Sequence, residues 1–380
     1  MLKRHVFLSF LLVSAAYALN FKIVEFSDPL GKIDTKKGEL RLDVGIGSGG
    51  FHLHGDANNV FYTVSDRGAN IDCKSANKIL GEEICKKGKI FPFPNFSPTI
   101  YKIKMLKSGY EILEKIPLKT ASGKPLSGIS NPDTEAAFMV DGSKIKDDVN
   151  GLDIEAVVVT KKREFYIADE YGPSIAYVSS DGRVLQRWVP KGVAASLNKA
   201  DAEIIENLPA KLRQRELNRG FEALAISPDE SILYMVLQSP YESEKNSREV
   251  AFLAIDIKSK KVVGEYIYKT DEWSSFKKDI KKKPREQNDV KISEMASLPN
   301  GDLIVLERIS KSTKFYKIDI KNAKKGEILS KELIFDTDSL DKFPSKIESL
   351  IIVSSDEWYL INDNDFGIEG DKTKIVRVKF

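Results

Sequence analysis

Polar residues recur in this chain at intervals that bring them to a common place. Glu155 and Asp169 are fourteen residues apart, as are Glu348 and Asn362; Glu294 and Glu307 are thirteen apart, Glu222 and Gln238 sixteen. A hairpin of two strands of about five or six residues with a short turn has this length, so its first and last residues meet at one end. Adding flanking polar positions gives a set of Asp66, Arg67, Glu155, Asp169, Glu170, Glu222, Gln238, Glu294, Glu307, Arg308, Glu348, Asn362, Asp363 and Asp365. Carboxylates crowded on one rim repel, and a cation or a shared proton relieves them. Hard oxygen donors suit calcium. Histidine scarcity agrees: only His5, His52 and His54 occur, too few for a His-rich zinc or iron site.

The chemistry that follows is metal-assisted phosphoester hydrolysis. Asp66, Asp169, Glu170, Glu294, Glu307, Glu348 and Asp363 are the expected calcium ligands. Glu155 and Glu222 are expected to serve catalysis, a Glu acting as base. Arg67 and Arg308, in matching repeat positions, would clamp phosphate, since a guanidinium meets two oxygens at once.

The elements that must hold this rim repeat. Five segments share one layout of apolar strand, turn, apolar strand and polar cluster: Gly47 to Gly68, Gly151 to Pro173, Gly220 to Pro240, Ile292 to Ser310 and Lys346 to Gly367. The turns Ser227-Pro228-Asp229-Glu230, Pro299-Asn300-Gly301-Asp302 and Ser354-Ser355-Asp356-Glu357 have hairpin composition, and β-branched and aromatic residues flank them. Further strand pairs lie between copies, such as Val250 to Ile257 with Lys261 to Tyr268. Two inner and two outer strands make a blade, so the fold expected is an all-β propeller of five or six four-stranded blades. Strand-like Asn20 to Phe26 and Lys374 to Phe380 would close it, and the long interval before Gly151 has room for a degenerate sixth blade. Ala194 to Leu217 carries apolar residues at helical spacing around Pro209 and predicts a short helical insertion. Gly45-x-Gly47-x-x-Gly50 is followed by a strand pattern where a dinucleotide site needs a helix, so it is no phosphate cradle.

The remaining features bound the setting. Lys3 and Arg4, the apolar run Val6 to Val13 and Ala16-Tyr17-Ala18 form a signal-peptide pattern cut after Ala18, leaving residues 19–380 as one domain that is periplasmic or secreted. No later stretch is long enough to cross a membrane as a helix. Cys73 and Cys85, the two cysteines of the chain, are expected to close one disulfide in an oxidising compartment. Without Lys3 and Arg4 the chain has 57 basic and 56 acidic residues, so it lacks the basic excess of a nucleic-acid binder. A monomer acting on a small phosphorylated or ester substrate is expected.

Several motifs taken together resemble the phytase-like family described by esterase-like activity, a secreted bacterial propeller group. They are Ser65-Asp66-Arg67-Gly68-Ala69-Asn70, Gly151-Leu152-Asp153-Ile154-Glu155-Ala156 and Ala168-Asp169-Glu170-Tyr171-Gly172-Pro173-Ser174-Ile175. Asn218 to Leu224, Leu237 to Pro240, Leu306-Glu307-Arg308 and Asn362 to Gly367 complete the resemblance, which runs from about Leu40 to the C-terminus. Where the family pattern has Glu-Gly, this chain has Glu155-Ala156, Glu222-Ala223 and Glu348-Ser349, a change in packing beside the carboxylate. The resemblance implies the propeller and phosphoester or ester hydrolysis.

Two other readings compete. A serine esterase would need His52 or His54 as base, yet no Gly-x-Ser-x-Gly elbow is present. A non-catalytic binding propeller would display its rim, with Tyr171 and Phe366 as aromatic platforms, to a glycan, peptide or envelope partner.

Overall fold

The computed structural model describes residues 19–131 and 134–380, so the signal-peptide segment 1–18 lies outside the described residues. Five antiparallel sheets carry the repeats. Blade 1 comprises Gly50–Phe51, Val60–Val64, Thr99–Met105 and Tyr110–Pro117; blade 2, Ile154–Val159, Phe165–Asp169, Ser174–Val178 and Val184–Pro190. Blade 3 comprises Phe221–Ile226, Ile232–Leu237, Glu249–Asp256 and Lys261–Lys269; blade 4, Lys291–Ser297, Leu303–Arg308, Thr313–Ile318 and Lys331–Asp336. Blade 5 takes Ile347–Ser354, Glu357–Asn362 and Thr373–Lys379 from the C-terminus and Asn20–Phe26 from the N-terminus, paired antiparallel from Asn20↔Lys379 to Phe26↔Thr373. The first strand of each C-terminal or central sheet packs against the next, and that of blade 5 against that of blade 1.

The strands form where the sequence reads β-branched and aromatic, and the inner ones are buried on both faces because each blade is sandwiched between two others. The apolar cores accordingly lie between blades. Val157, Val159 and Ile167 meet Tyr62 and Ile100 between blades 1 and 2. Leu224, Val236 and Met295 join blades 2 to 4, and Leu306, Phe315, Trp358 and Val376 join blades 4 and 5. Hairpin turns are tight where expected: Gly301 donates to Leu298 with φ of 85°, a left-handed conformation natural to glycine.

Two expectations are corrected. Among the described residues the interval before Gly151 forms no sixth blade of the channel; it folds as a small sheet of Ile71–Asp72, Lys89–Ile90, Ala137–Phe138 and Lys144–Ile145 set against blade 1. The strands are two residues each, too short to make a blade. A Cys73–Cys85 disulfide closes the loop inside it. The expected insertion keeps one short helical piece, and its other part is a strand. Glu203–Leu208 is a strand pairing in parallel with Val184–Pro190, and Ala210–Gln214 is a single 3-10 turn. The open edge of blade 2 offers Ile204 and Ile205 a hydrogen-bonding partner, while Pro209 leaves too little chain for a stable helix. Leu208 and Leu212 fall at helical spacing only because both are buried beneath this edge.

Candidate active site at the acidic mouth

Strand pairing sorts the polar residues more finely than spacing can. Blades 2 to 5 each have a one-residue bulge at the start of the inner strand, between Ile154 and Ala156, Phe221 and Ala223, Ile292 and Glu294, and Ile347 and Ser349. A bulge leaves one residue unpaired and re-aims it. Those residues are Glu155, Glu222, Ser293 and Glu348. Opposite each bulge the second strand places Asp169, Leu237, Glu307 and Asn362. One residue further on stand Glu170, Gln238, Arg308 and Asp363, with Asp66 at the same place in blade 1.

Alternation along the strand separates these last two ranks. The first turns into its own blade. Asp169, fully buried, accepts from Ser174 Oγ at 2.8 Å and Arg187 Nη2 at 3.0 Å. Glu307 accepts from the Asp271 amide at 2.8 Å and from Tyr268 and Lys331, and Asn362 accepts from the Lys374 amide at 2.6 Å. Their oxygens are committed to ties between strands. The second rank faces the mouth, where it meets the bulged residues and those two positions before them: Asp153, Gly220, Lys291 and Lys346.

The mouth is therefore polarised. Asp66, Asp153, Glu155, Glu170, Glu222 and Asp363 gather on blades 1 to 3 and the near side of blade 5. Burial, together with Asp153 and Asp363, holds the Asp66 carboxyl well above its ordinary range. Burial likewise holds up Glu155, beside Asp153, Glu170 and Asp66, and Glu170, beside Glu222 and Asp153. Burial pushes Asp153 up to about 6 despite Arg67, and Asp363 up to about 7 with Asp365 beside it. Lys291, Arg308 and Lys346 occupy blades 4 and 5. Burial and then Arg308 lower the Lys291 ammonium, against Glu222 and Glu170 nearby. Arg308 donates to Ser293 Oγ at 2.8 Å and to Glu348, and Lys346 pairs with Asp365. Arg67 lies 2.8 Å from Glu135 and 3.2 Å from Asp153, stacked 4.8 Å over the Tyr171 ring. Arg67 and Arg308 thus differ by one position in the repeat and do not match.

The donor set fits a hard cation. Oxygens of Asp66, Asp153 and Glu155 all lie within 4.8 Å of one another. Among the described residues, neither oxygen of Asp153, 1% exposed, accepts a hydrogen bond, nor do Glu222 Oε2 and Gln238 Oε1. Buried oxygens without donors are costly unless a cation or water meets them. A calcium-like ion fits carboxylates so arranged.

Glu294 sits elsewhere. It occupies the position of Ala156, Ala223 and Ser349, one residue past the bulge, and accepts from the Gly50 amide at 3.1 Å and its neighbour Met295 at 2.9 Å. There the inner strands converge: a Cβ on Gly50 would lie 2.4 Å from Ile351 Cγ1 and 2.6 Å from Ser349 Oγ. Small residues and one carboxylate thus form a waist below the mouth. Tyr171 and Phe366 are each 2% exposed and offer no aromatic platform. His52 and His54 line a cavity at the far ends of the inner strands, and His52 Nδ1 contacts the Val60 carbonyl at 2.8 Å, with no serine on that nitrogen.

Asp153 and Lys291 belong to the mouth but were not singled out by spacing. The available signal was their place two residues before Glu155 and Ser293, which an alignment centred on the bulges brings into register.

A family model described as Phytase-like, esterase-like activity of phytase, matches residues 47–366. An uncharacterized secreted protein of Arthroderma benhamiae is 27% identical over 207 residues, covering 47% of this chain and 38% of that protein. Likeness to solved structures is distant. A luciferin-regenerating enzyme has a TM-score of 0.39 and 11% identity, covering 95% of this chain and 96% of that one. The PQQ-bound aldose sugar dehydrogenase of Streptomyces coelicolor has a TM-score of 0.37 and 9% identity, covering 95% and 98%.

Proposed function

The chain belongs to the phytase-like family described by the esterase-like activity of phytase, and from that premise we propose that it is an exported, calcium-dependent phosphoester hydrolase acting at the acidic mouth. The observation that carries this reading is the Asp66–Asp153–Glu155 cluster, in which Asp153 accepts no hydrogen bond and is met by the Arg67 guanidinium at 3.2 Å, across from Lys291 and Arg308. Acid on one side suits a cation, and base on the other suits an anion.

In this reading Asp66, Asp153 and Glu155 hold the ion, with Glu170 and Asp363 around them. A bound calcium ion supplies charge neutralisation and polarisation of the phosphoryl oxygens. Lys291 and Arg308 orient the remaining phosphate oxygens by charge-assisted hydrogen bonds. Glu222, whose Oε2 is free, takes the proton of the attacking water. The bond from phosphorus to the ester oxygen breaks as the water oxygen adds. Glu170, its carboxyl held above the usual range by burial and then by Glu222, is placed to return a proton to the departing alcohol. Asp169, Glu294 and Glu307, although expected as ligands, support this reading from the blades and the waist. The protein works as a monomer, periplasmic or secreted, on a small phosphorylated or ester substrate.

The test is turnover of 4-nitrophenyl phosphate, its bis-ester and 4-nitrophenyl acetate by the mature protein with calcium or chelator. Calcium-dependent phosphoester cleavage, lowered at least about a hundredfold in Asp153→Asn, is expected. Absence of phosphomonoester and diester cleavage in both conditions contradicts it. A second reading, a binding propeller without turnover, is favoured by one observation: Arg67 and Arg308 are both ion-paired within the protein. Calcium binding with no turnover on a broad panel would support that reading.

A further inference from the structure

The channel has a second mouth. The inner strands run from the acidic bulges to their hairpin turns, and four residues of strand from Glu155 to Val159 span about 13 Å. At that far end a cavity of about 330 Å³ opens, to which all five blades contribute. Its wall is apolar: Phe51 of blade 1, Ile226 of blade 3, Leu298 of blade 4, and Leu350 and Ile352 of blade 5. The waist of Gly50, Glu294 and Ser349 separates this space from the acidic mouth.

We propose that this far mouth is a binding site for a small, mostly apolar molecule carrying one hydrogen-bond donor, distinct from the acidic site. Three observations carry it. The volume and apolar wall match those of small-molecule pockets, which run from about 300 Å³ upward and fix orientation with few polar groups. The polar group is His52: a carbonyl cannot donate, so Nδ1 donates to Val60, and Nε2 is left as an acceptor on a residue that lines the cavity. Of the neighbouring serines, Ser227 Oγ is engaged both ways, donating to Asp229 at 2.6 Å and accepting from the Ile232 amide at 2.9 Å, and Ser297 Oγ commits its proton to the Ile226 carbonyl at 2.6 Å. The occupant is a small molecule because the space, about 330 Å³ and walled by side chains of all five blades, is of small-molecule size.

The experiment is calorimetric titration of the mature protein with 2-naphthol and with naphthalene, paired with light scattering. One-to-one saturable binding of 2-naphthol is expected, with naphthalene weaker. Ile352→Arg and Leu298→Glu, at partly exposed wall positions, should each weaken 2-naphthol at least about tenfold while leaving calcium binding unchanged, which checks that the fold persists. His52→Phe should abolish the preference for 2-naphthol over naphthalene. Absence of saturable binding, equal binding by wild type and both wall variants, or a dimer that Ile352→Arg dissociates would overturn the proposal. Because calcium binding is measured on the same variants, failure here is distinguishable from failure at the acidic mouth.

Discussion

At the acidic mouth Asp66, Glu155, Glu170 and Asp363 are held up chiefly by burial and then by other carboxyls, and Asp153 by burial against the pull of Arg67, which fixes the sign of their response to pH. Asp153 and Asp363, pushed up to about 6 and about 7, keep protons that the unfolded chain releases near pH 4. A raised folded-state value means that stability without cation falls as pH rises through that window. Asp271 does not oppose this: burial raises it, but Lys314, Tyr316 and Lys331 prevail and lower it, so its contribution is lost only below about pH 4. Calorimetric scans of chelator-treated protein should therefore show a higher melting temperature at pH 5 than at pH 7.5. Glu155→Gln should remove part of the repulsion, raising stability without calcium at pH 7.5 by about 1–3 kcal/mol and reducing the gain on adding calcium. Calcium binding at pH 6.5 should release protons, seen as a dependence of binding heat on buffer ionisation enthalpy. At the waist, Glu294→Ala should cost about 1–3 kcal/mol by stranding the Gly50 amide, while Glu294→Gln keeps an acceptor and costs less. Urea titration of the two variants separates these outcomes.

Among the elements, the hairpins were legible and the bulges were not. Similar intervals between polar residues, thirteen to sixteen, reflect hairpin length, which places Glu155, Glu170 and Asp363 at one end. They cannot tell which of two adjacent residues faces the channel, since a one-residue shift reverses every side chain. That shift puts Ser293 at the bulge and Glu294 at the waist, and turns Asp169 and Glu307 into their blades. The segment around Ile204 and Ile205 had a helical pattern, but tertiary pairing with blade 2 decided it. The disulfide was legible from two cysteines alone, and its loop carries Ser75 and Ile79 to a cleft beside Asp66. Cys73→Ser should lower stability by about 2–3 kcal/mol, given a loop of 12 residues. Removing Asn20–Phe26 should cost more, because Phe21 and Ile23 pack against the core joining blades 4 and 5 and the exposed edge of Thr373–Lys379 would invite association. Light scattering of the shortened chain checks this.

On the scale of the whole molecule, five similar hairpins around one axis make two unlike mouths. Small residues at the waist keep them apart, and unlike side chains at like positions divide the upper mouth into acidic and basic halves. Lys291 and Asp153 hold equivalent places in their repeats with opposite charge, so repetition supplies the ring and divergence supplies its polarity. Crystals of the mature protein soaked in calcium and in a heavier analogue visible by anomalous scattering would examine this arrangement. An ion touching oxygens of Asp66, Asp153 and Glu155 is the predicted result. An ion bound only outside the mouth, or those three carboxyls bare at saturating calcium, would contradict it.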